Sequence, residues 1–277
     1  MRSKANCPLL LLLVFGLNSL TAGNDNLAGG ARAAGMGDAG LCLEDVWCTR
    51  HNQAGLAFIK ETELSSSFEI PFGLTALQTG GLACAIPLHK GAIGLDVSSF
   101  GSPDYQENKF GLAYALKIGS HCSAGVQLDY LRTVIAEGYG TRNAIAGELG
   151  LEALLFKNLK LGIHLNNPTR TSLAEYNDER YPTILRAGLL YRLSPKINLA
   201  VETEKDNFNP PIFRGGFEYT LVQSLIVRAG LNGNPTMFCF GAGFRMKNLI
   251  IDTAASWHPI LGLSTGISIG YVFNPPT

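Results

Sequence analysis

From about Thr62 onward the chain alternates apolar and polar residues with a period of two, the pattern of β-strands with one apolar face. The clearest run is Leu159-Lys160-Leu161-Gly162-Ile163-His164-Leu165-Asn166, in which one face carries only Leu and Ile and the other Lys, Gly, His and Asn. Ile197–Glu204 and Phe213–Tyr219 repeat it. The same reading predicts strands near 62–70, 79–88, 91–99, 108–118, 122–132, 143–156, 183–193, 223–231, 236–246, 248–257 and 262–273. Together these predict an all-β fold, an antiparallel transmembrane β-barrel of about fourteen strands.

The predicted connections alternate in length. Short turns fall at His89-Lys90, Gly119-Ser120, Lys157-Asn158, Ser194–Lys196, Val222-Gln223 and Lys247-Asn248, and longer links at 71–78, 100–107, 133–142, 167–182, 205–211, 232–235 and 258–261. Short turns on one side and longer loops on the other are the layout of outer-membrane barrels. An even strand number puts both ends of the barrel on the short-turn, periplasmic side.

Side-chain polarity then sets which face meets lipid. With the apolar face outward, the inward face carries Glu69, Asp96, Lys117, Asp129, Glu148, Glu152, Lys160, Glu204 and the expected lumen charges Arg186, Arg192, Glu202, Arg214, Glu218, Arg228, Arg245 and Asp252. The wall is therefore expected to hold cross-strand pairs of mixed sign, Arg214 and Glu218 reaching towards Glu202 and Arg228. A soluble barrel with these charges solvated is the competing reading. Aromatics near strand ends, Phe68, Tyr114, Tyr130, Tyr191, Trp257, Tyr271 and Phe273, supply interfacial girdles and favour the membrane.

Composition narrows the partners. Lys+Arg and Asp+Glu balance at 22 each and charged residues are only 16%, so the chain lacks the cationic excess of a nucleic-acid binder. Residues 1–22 read as a signal peptide: Arg2 and Lys4, the apolar run Leu9–Leu17, and the small-residue stretch Leu20–Gly23. Export to the bacterial outer membrane follows, with outer-membrane lipid as the surrounding partner. Cys7 leaves with that peptide, and the close spacing of Cys42 and Cys48 allows a disulfide in an oxidising compartment. Five scattered His residues and no CxxC pair give no support for a metal, and no cofactor is expected. His164 is the one inward His on the predicted faces. A catalytic role would need a nucleophile beside it, so no enzyme activity is expected.

Residues 23–57 lack the alternation and are rich in Gly and Ala. Small residues permit tight packing in a confined space, so this segment reads as an internal plug ahead of a barrel over 58–277; a flexible periplasmic leader is the other reading. Arg32 is the basic residue of its Gly/Ala-rich core.

The run Gly30-Ala31-Arg32-Ala33-Ala34-Gly35-Met36-Gly37-Asp38-Ala39-Gly40, with Asn52-Gln53-Ala54-Gly55-Leu56-Ala57 after it, resembles the opening of the PorV/PorQ group of barrels, a group related to the FadL long-chain fatty-acid transporters. The family pattern is G-A-R-x-x-G-M-G-x-A followed by N-P-A-G-L-A, and Gln53 stands where the pattern has Pro. The resemblance implies fourteen strands, a plug, and one of two roles: a component of a type IX-like secretion and surface-attachment system partnered by secretion proteins, or a channel for hydrophobic small molecules. The polar loop Asn167–Pro182 tilts the expectation to the first, because a collector of fatty acids would expose apolar loops.

Overall fold

The computed structural model describes residues 29–136, 140–172, 180–207, 209–233 and 236–273. The signal peptide expected over 1–22 lies outside them, as do Glu175, Asp178 and Glu179 of the polar loop and the Pro-containing tail after Phe273. Fourteen antiparallel strands form a closed barrel in which each pairs with its chain neighbours and the first pairs with the last. They are β1 (Glu63–Ile70), β2 (Thr79–Leu88), β3 (Gly91–Ser102), β4 (Tyr105–Ile118), β5 (Cys122–Ile135), β6 (Gly140–Phe156), β7 (Leu159–Asn166), β8 (Ile184–Ser194), β9 (Ile197–Lys205), β10 (Ile212–Val222), β11 (Leu225–Asn232), β12 (Met237–Met246), β13 (Leu249–His258) and β14 (Gly262–Val272). Closure leaves no unpaired edge, which a sheet in hydrocarbon requires. Among the described residues no helix is long and apolar enough to cross a membrane.

Burial runs opposite to that of a soluble protein. Along β5, Ser123, Gln127, Asp129 and Thr133 are buried while Val126, Leu128 and Tyr130 are about half exposed. Polar side chains face in and apolar ones out, the arrangement that lipid imposes. The seven strand-end aromatics are all on the exposed face, Phe68, Tyr130 and Trp257 towards the long-loop end and Tyr114, Tyr191, Tyr271 and Phe273 towards the short-turn end.

Two hairpin tops and one turn depart from the sequence pattern. β3–β6 run on to Ser102, Tyr105, Ile135 and Gly140, so the links read at 100–107 and 133–142 are mostly strand. Ladder hydrogen bonds continue above the lipid-facing band, where alternation of side chains stops being required. The β10–β11 turn falls at Gln223–Ser224, one residue later than Val222-Gln223, with a register shift between Thr220 and Val222.

Candidate functional site: the barrel interior

Residues 29–58 run against the inward faces of the strands as a short helix α1 (Gly30–Ala34), a turn, a second helix α2 (Cys48–His51) and a 3-10 helix (Gln53–Phe58). Met36, Leu41, Val46 and Leu56 are buried. Glycines on the wall make the room. A Cβ at Gly230 would overlap Met36 and the start of Gly37, one at Gly216 would meet Met36, one at Gly241 would meet Gly35, and one at Gly125 or Gly150 would meet the Asn52–Ala54 turn. The segment's own glycines answer them. Gly30 (φ +75°) lies under the Trp47 indole, Gly37 (φ +68°) on the Leu231 backbone, Gly40 on the His51 ring and Gly55 on the Cys48 thiol. The Ala31 amide donates to Ser268 Oγ at 3.2 Å, and Asn52 accepts from Ala54 N at 3.2 Å while donating to the Leu151 carbonyl at 3.0 Å. Burial pushes the His51 imidazole down to about 3, so it is neutral and its Nε2 donates to the Gly29 carbonyl at 2.9 Å.

Six of the eight expected lumen charges form two networks. Glu218, directly opposite Arg228 in the β10–β11 ladder, accepts from Arg228 at 2.7 Å and from Arg32 at 2.8 and 2.9 Å. Arg228 also reaches Asp252 at 2.7 Å, and Arg32 reaches Asp45 at 3.1 Å. Glu202, opposite Arg214, is held by Arg186 at 2.6 Å, by Arg214 at 3.1 Å and by the Leu41 amide at 3.1 Å; Arg214 continues to Glu204 at 2.7 Å. Arg192 and Arg245 are not in the interior. They lie exposed at the short-turn rim, where Arg245 lines a pocket of about 330 Å³ with Glu44, Asp45 and Glu63. Inward parity continues to the strand ends, but enclosure does not.

Three groups were missed. Arg50, beyond the Gly/Ala run, donates to the fully buried Asp96 at 2.7 Å. Lys109 shares the inward parity of Lys117 and reaches Glu148 at 2.6 Å and Asp129 at 3.6 Å. Gln53, the departure from the family pattern, donates to Glu148 at 2.5 Å. Parity alone would have found Lys109; nothing in the sequence pairs Arg50 with Asp96. His164 Nε2 also donates to Glu148, at 2.9 Å, and its Nδ1 is buried without a partner, so no nucleophile is hydrogen-bonded to it. Cys42 and Cys48 are both free thiols. Among the described residues no three His, Cys, Asp or Glu side chains cluster to hold a metal.

At the long-loop end, Tyr181 turns inward against Leu131 and Ala146 and shares a hydrogen bond with Thr133 at 3.3 Å. Two other loops are apolar: Leu74 is 52% exposed, Ile260 85% and Leu261 53%. β1 and β13 both pair with β14, so these loops share one side of the rim.

No family model and no curated protein sequence matches the chain. Solved structures do. The chain is similar to the toluene transporter TbuX of Ralstonia pickettii (TM-score 0.75, 12% identity, covering 90% of this chain and 100% of that one). It is also similar to the monoaromatic hydrocarbon channel CymD (0.71, 14%, 90% and 99%) and to a FadL homologue of Pseudomonas aeruginosa (0.61, 14%, 88% and 98%). The fold is therefore that of the FadL-type outer-membrane channels.

Proposed function

We propose that this chain is an outer-membrane channel for a hydrophobic small molecule, made as a precursor with residues 1–22 as signal peptide, 23–57 as plug and 58–277 as barrel. The observation that carries the reading is the barrel interior. The hydrogen bonds and ion pairs of residues 29–58 reach β3, β6, β9, β10 and β14, which supports a plugged interior over the wide aqueous pore of a general porin. A plugged barrel of this fold suits a ligand handed along a narrow path, and the similar solved structures are channels for toluene and other monoaromatic hydrocarbons. The exposed Leu74, Ile260 and Leu261 supply apolar loop surface at the long-loop rim. No observation on the fold or the interior favours the secretion role that the PorV/PorQ resemblance also implied, so the channel is the reading adopted.

The test is uptake in cells stripped of their own hydrocarbon and fatty-acid channels. Cells making the protein should accumulate labelled toluene or oleate faster than vector controls, with arabinose entry unchanged. No gain for either apolar probe, or an equal gain for arabinose, overturns the proposal.

A further inference from the structure

The lipid-facing surface of β2–β5 ends in a polar row towards the long-loop side. By register Gly80 lies opposite Ser99, Ser99 opposite Asn108, Asn108 opposite Arg132, and Arg132 opposite Asn143, which lies on β6. One step towards the membrane centre the row is wholly apolar: Leu82, Val97, Phe110 and Tyr130, each between 42% and 53% exposed, with Ile145 beyond them. A groove of about 390 Å³ crosses both rows; Leu82, Val97, Phe110 and Tyr130 line its apolar part, and Asn108 and Arg132 stand at its polar end.

Arg132 is unusual. Of the described Lys and Arg residues in strands, only it and Lys205 alternate outward, and Lys205 turns back on its own loop to donate to the carbonyls of Asp206 and Asn209. Arg132 is exposed and pairs with no carboxylate among the described residues; its outward ladder neighbours Asn108 and Asn143 are neutral amides with donors to spare. A guanidinium costs little at the edge of the hydrocarbon, and at that height its natural counter-charge is a lipid phosphate, which the fork of N–H donors matches.

We infer that this face binds a phosphorylated acyl lipid of the outer leaflet, of the lipid A class, with the phosphate on Arg132, Asn108 and Asn143 and one acyl chain in the groove below. The Arg132 site faces the leaflet on the long-loop side, which in an outer membrane is built of that lipid. Gly80 keeps the groove open: a Cβ there would meet nothing within 4 Å.

The experiment uses the folded barrel in a neutral detergent, incubated with bis-phosphorylated lipid A, the retained lipid being counted by native mass spectrometry. Arg132→Gln should lower retention about tenfold, the loss expected for a charge-assisted hydrogen bond. Gly80→Leu, which fills the groove, should lower it too, and Lys196→Gln on the opposite rim should not. Dephosphorylated lipid A should bind the unaltered barrel as poorly as lipid A binds Arg132→Gln, an arm that decides the matter even if the variant fails to fold. Equal retention with and without the phosphate, or by Arg132→Gln and the unaltered barrel, overturns the site. Phosphatidylglycerol retained as well as lipid A overturns the assignment to the outer-leaflet lipid.

Discussion

The two halves of the inner segment meet the wall by different means. Gly29–Leu43 lies on it backbone to backbone, with Gly35 on Gly241 and Met36–Gly37 on Gly216, Gly230 and the Leu231 carbonyl. The half from Asp45 to Phe58 also packs one turn, Asn52–Ala54, on Gly125 and Gly150, but adds side-chain bonds at full burial: Arg50 on Asp96, Gln53 on Glu148 and Asn52 on the Leu151 carbonyl. The first kind of contact tolerates no added atom, because backbone cannot move aside. The second depends on charge and hydrogen bonds being satisfied where water is excluded.

The sharpest break of that comparison is at Gly230. A Val there overlaps the Met36–Gly37 backbone, so the first half must leave the wall, and on the proposed plug Gly230→Val should give large steady conductance in planar bilayers where the unaltered barrel gives little. Gly215→Val on the adjoining strand, where a Cβ meets nothing within 4 Å, should conduct no better than the unaltered protein. Equal behaviour of the two variants would remove the plug from the proposed function, as would large conductance of the unaltered barrel.

Next in size is Arg50→Met, which strands a carboxylate with no exposed surface. Loss of one partner of a buried pair costs about 3–5 kcal/mol. Unfolding in urea should show it, and Arg50→Met with Asp96→Leu should recover most of the loss because no charge is then left unpaired. A double variant as unstable as the single would mean that Arg50 acts through packing on Trp47, over which its guanidinium sits at 5.2 Å.

These two positions also mark how far the sequence could be read. The strands were legible because lipid outside and a polar interior force a period of two over every crossing, and β7 at Leu159–Asn166 matches its reading to the residue. The glycine-rich half of the inner segment was legible as a motif, since backbone contact leaves glycines in its wake. Asp96 was read as inward from its parity, but its pairing with Arg50 was not, because a single ion pair between residues 46 positions apart leaves no periodic trace. Nor were the hairpin tops of β3–β6, where ladder bonding persists without alternation. The choice between secretion and small-molecule transport rested on one polar loop, and loop surfaces carry no repeating constraint from which a role can be read.

Comparing the halves presupposes a wall whose outer face meets lipid, which Val201→Arg checks. Val201 is 57% exposed in the middle of β9, and Arg there should cost about 2–4 kcal/mol in a bilayer if it lies near the midplane. The same substitution should cost almost nothing in a soluble barrel, so equal urea midpoints in liposomes would overturn the membrane orientation.

The smallest effect is expected where the two kinds of contact overlap, at Arg32. It lies in the backbone-packed half yet donates twice to Glu218, which at first sight makes it the equal of Arg50. The partners differ. Asp96 has no second cation hydrogen-bonded to it among the described residues, and its Oδ2 is already unpartnered; Glu218 keeps Arg228 at 2.7 Å and Asn198 at 3.0 Å when Arg32 is gone. Arg32→Met therefore leaves Glu218 paired and loses only the bonds to it and to Asp45, about 1–3 kcal/mol and less than Arg50→Met. The ordering is the measurable point: matched urea titrations of the two variants should place Arg50→Met lower. If Arg32→Met proves the more damaging, α1 is held to the wall by its charge and not by the glycine contacts, and the distinction between the two halves of the segment fails.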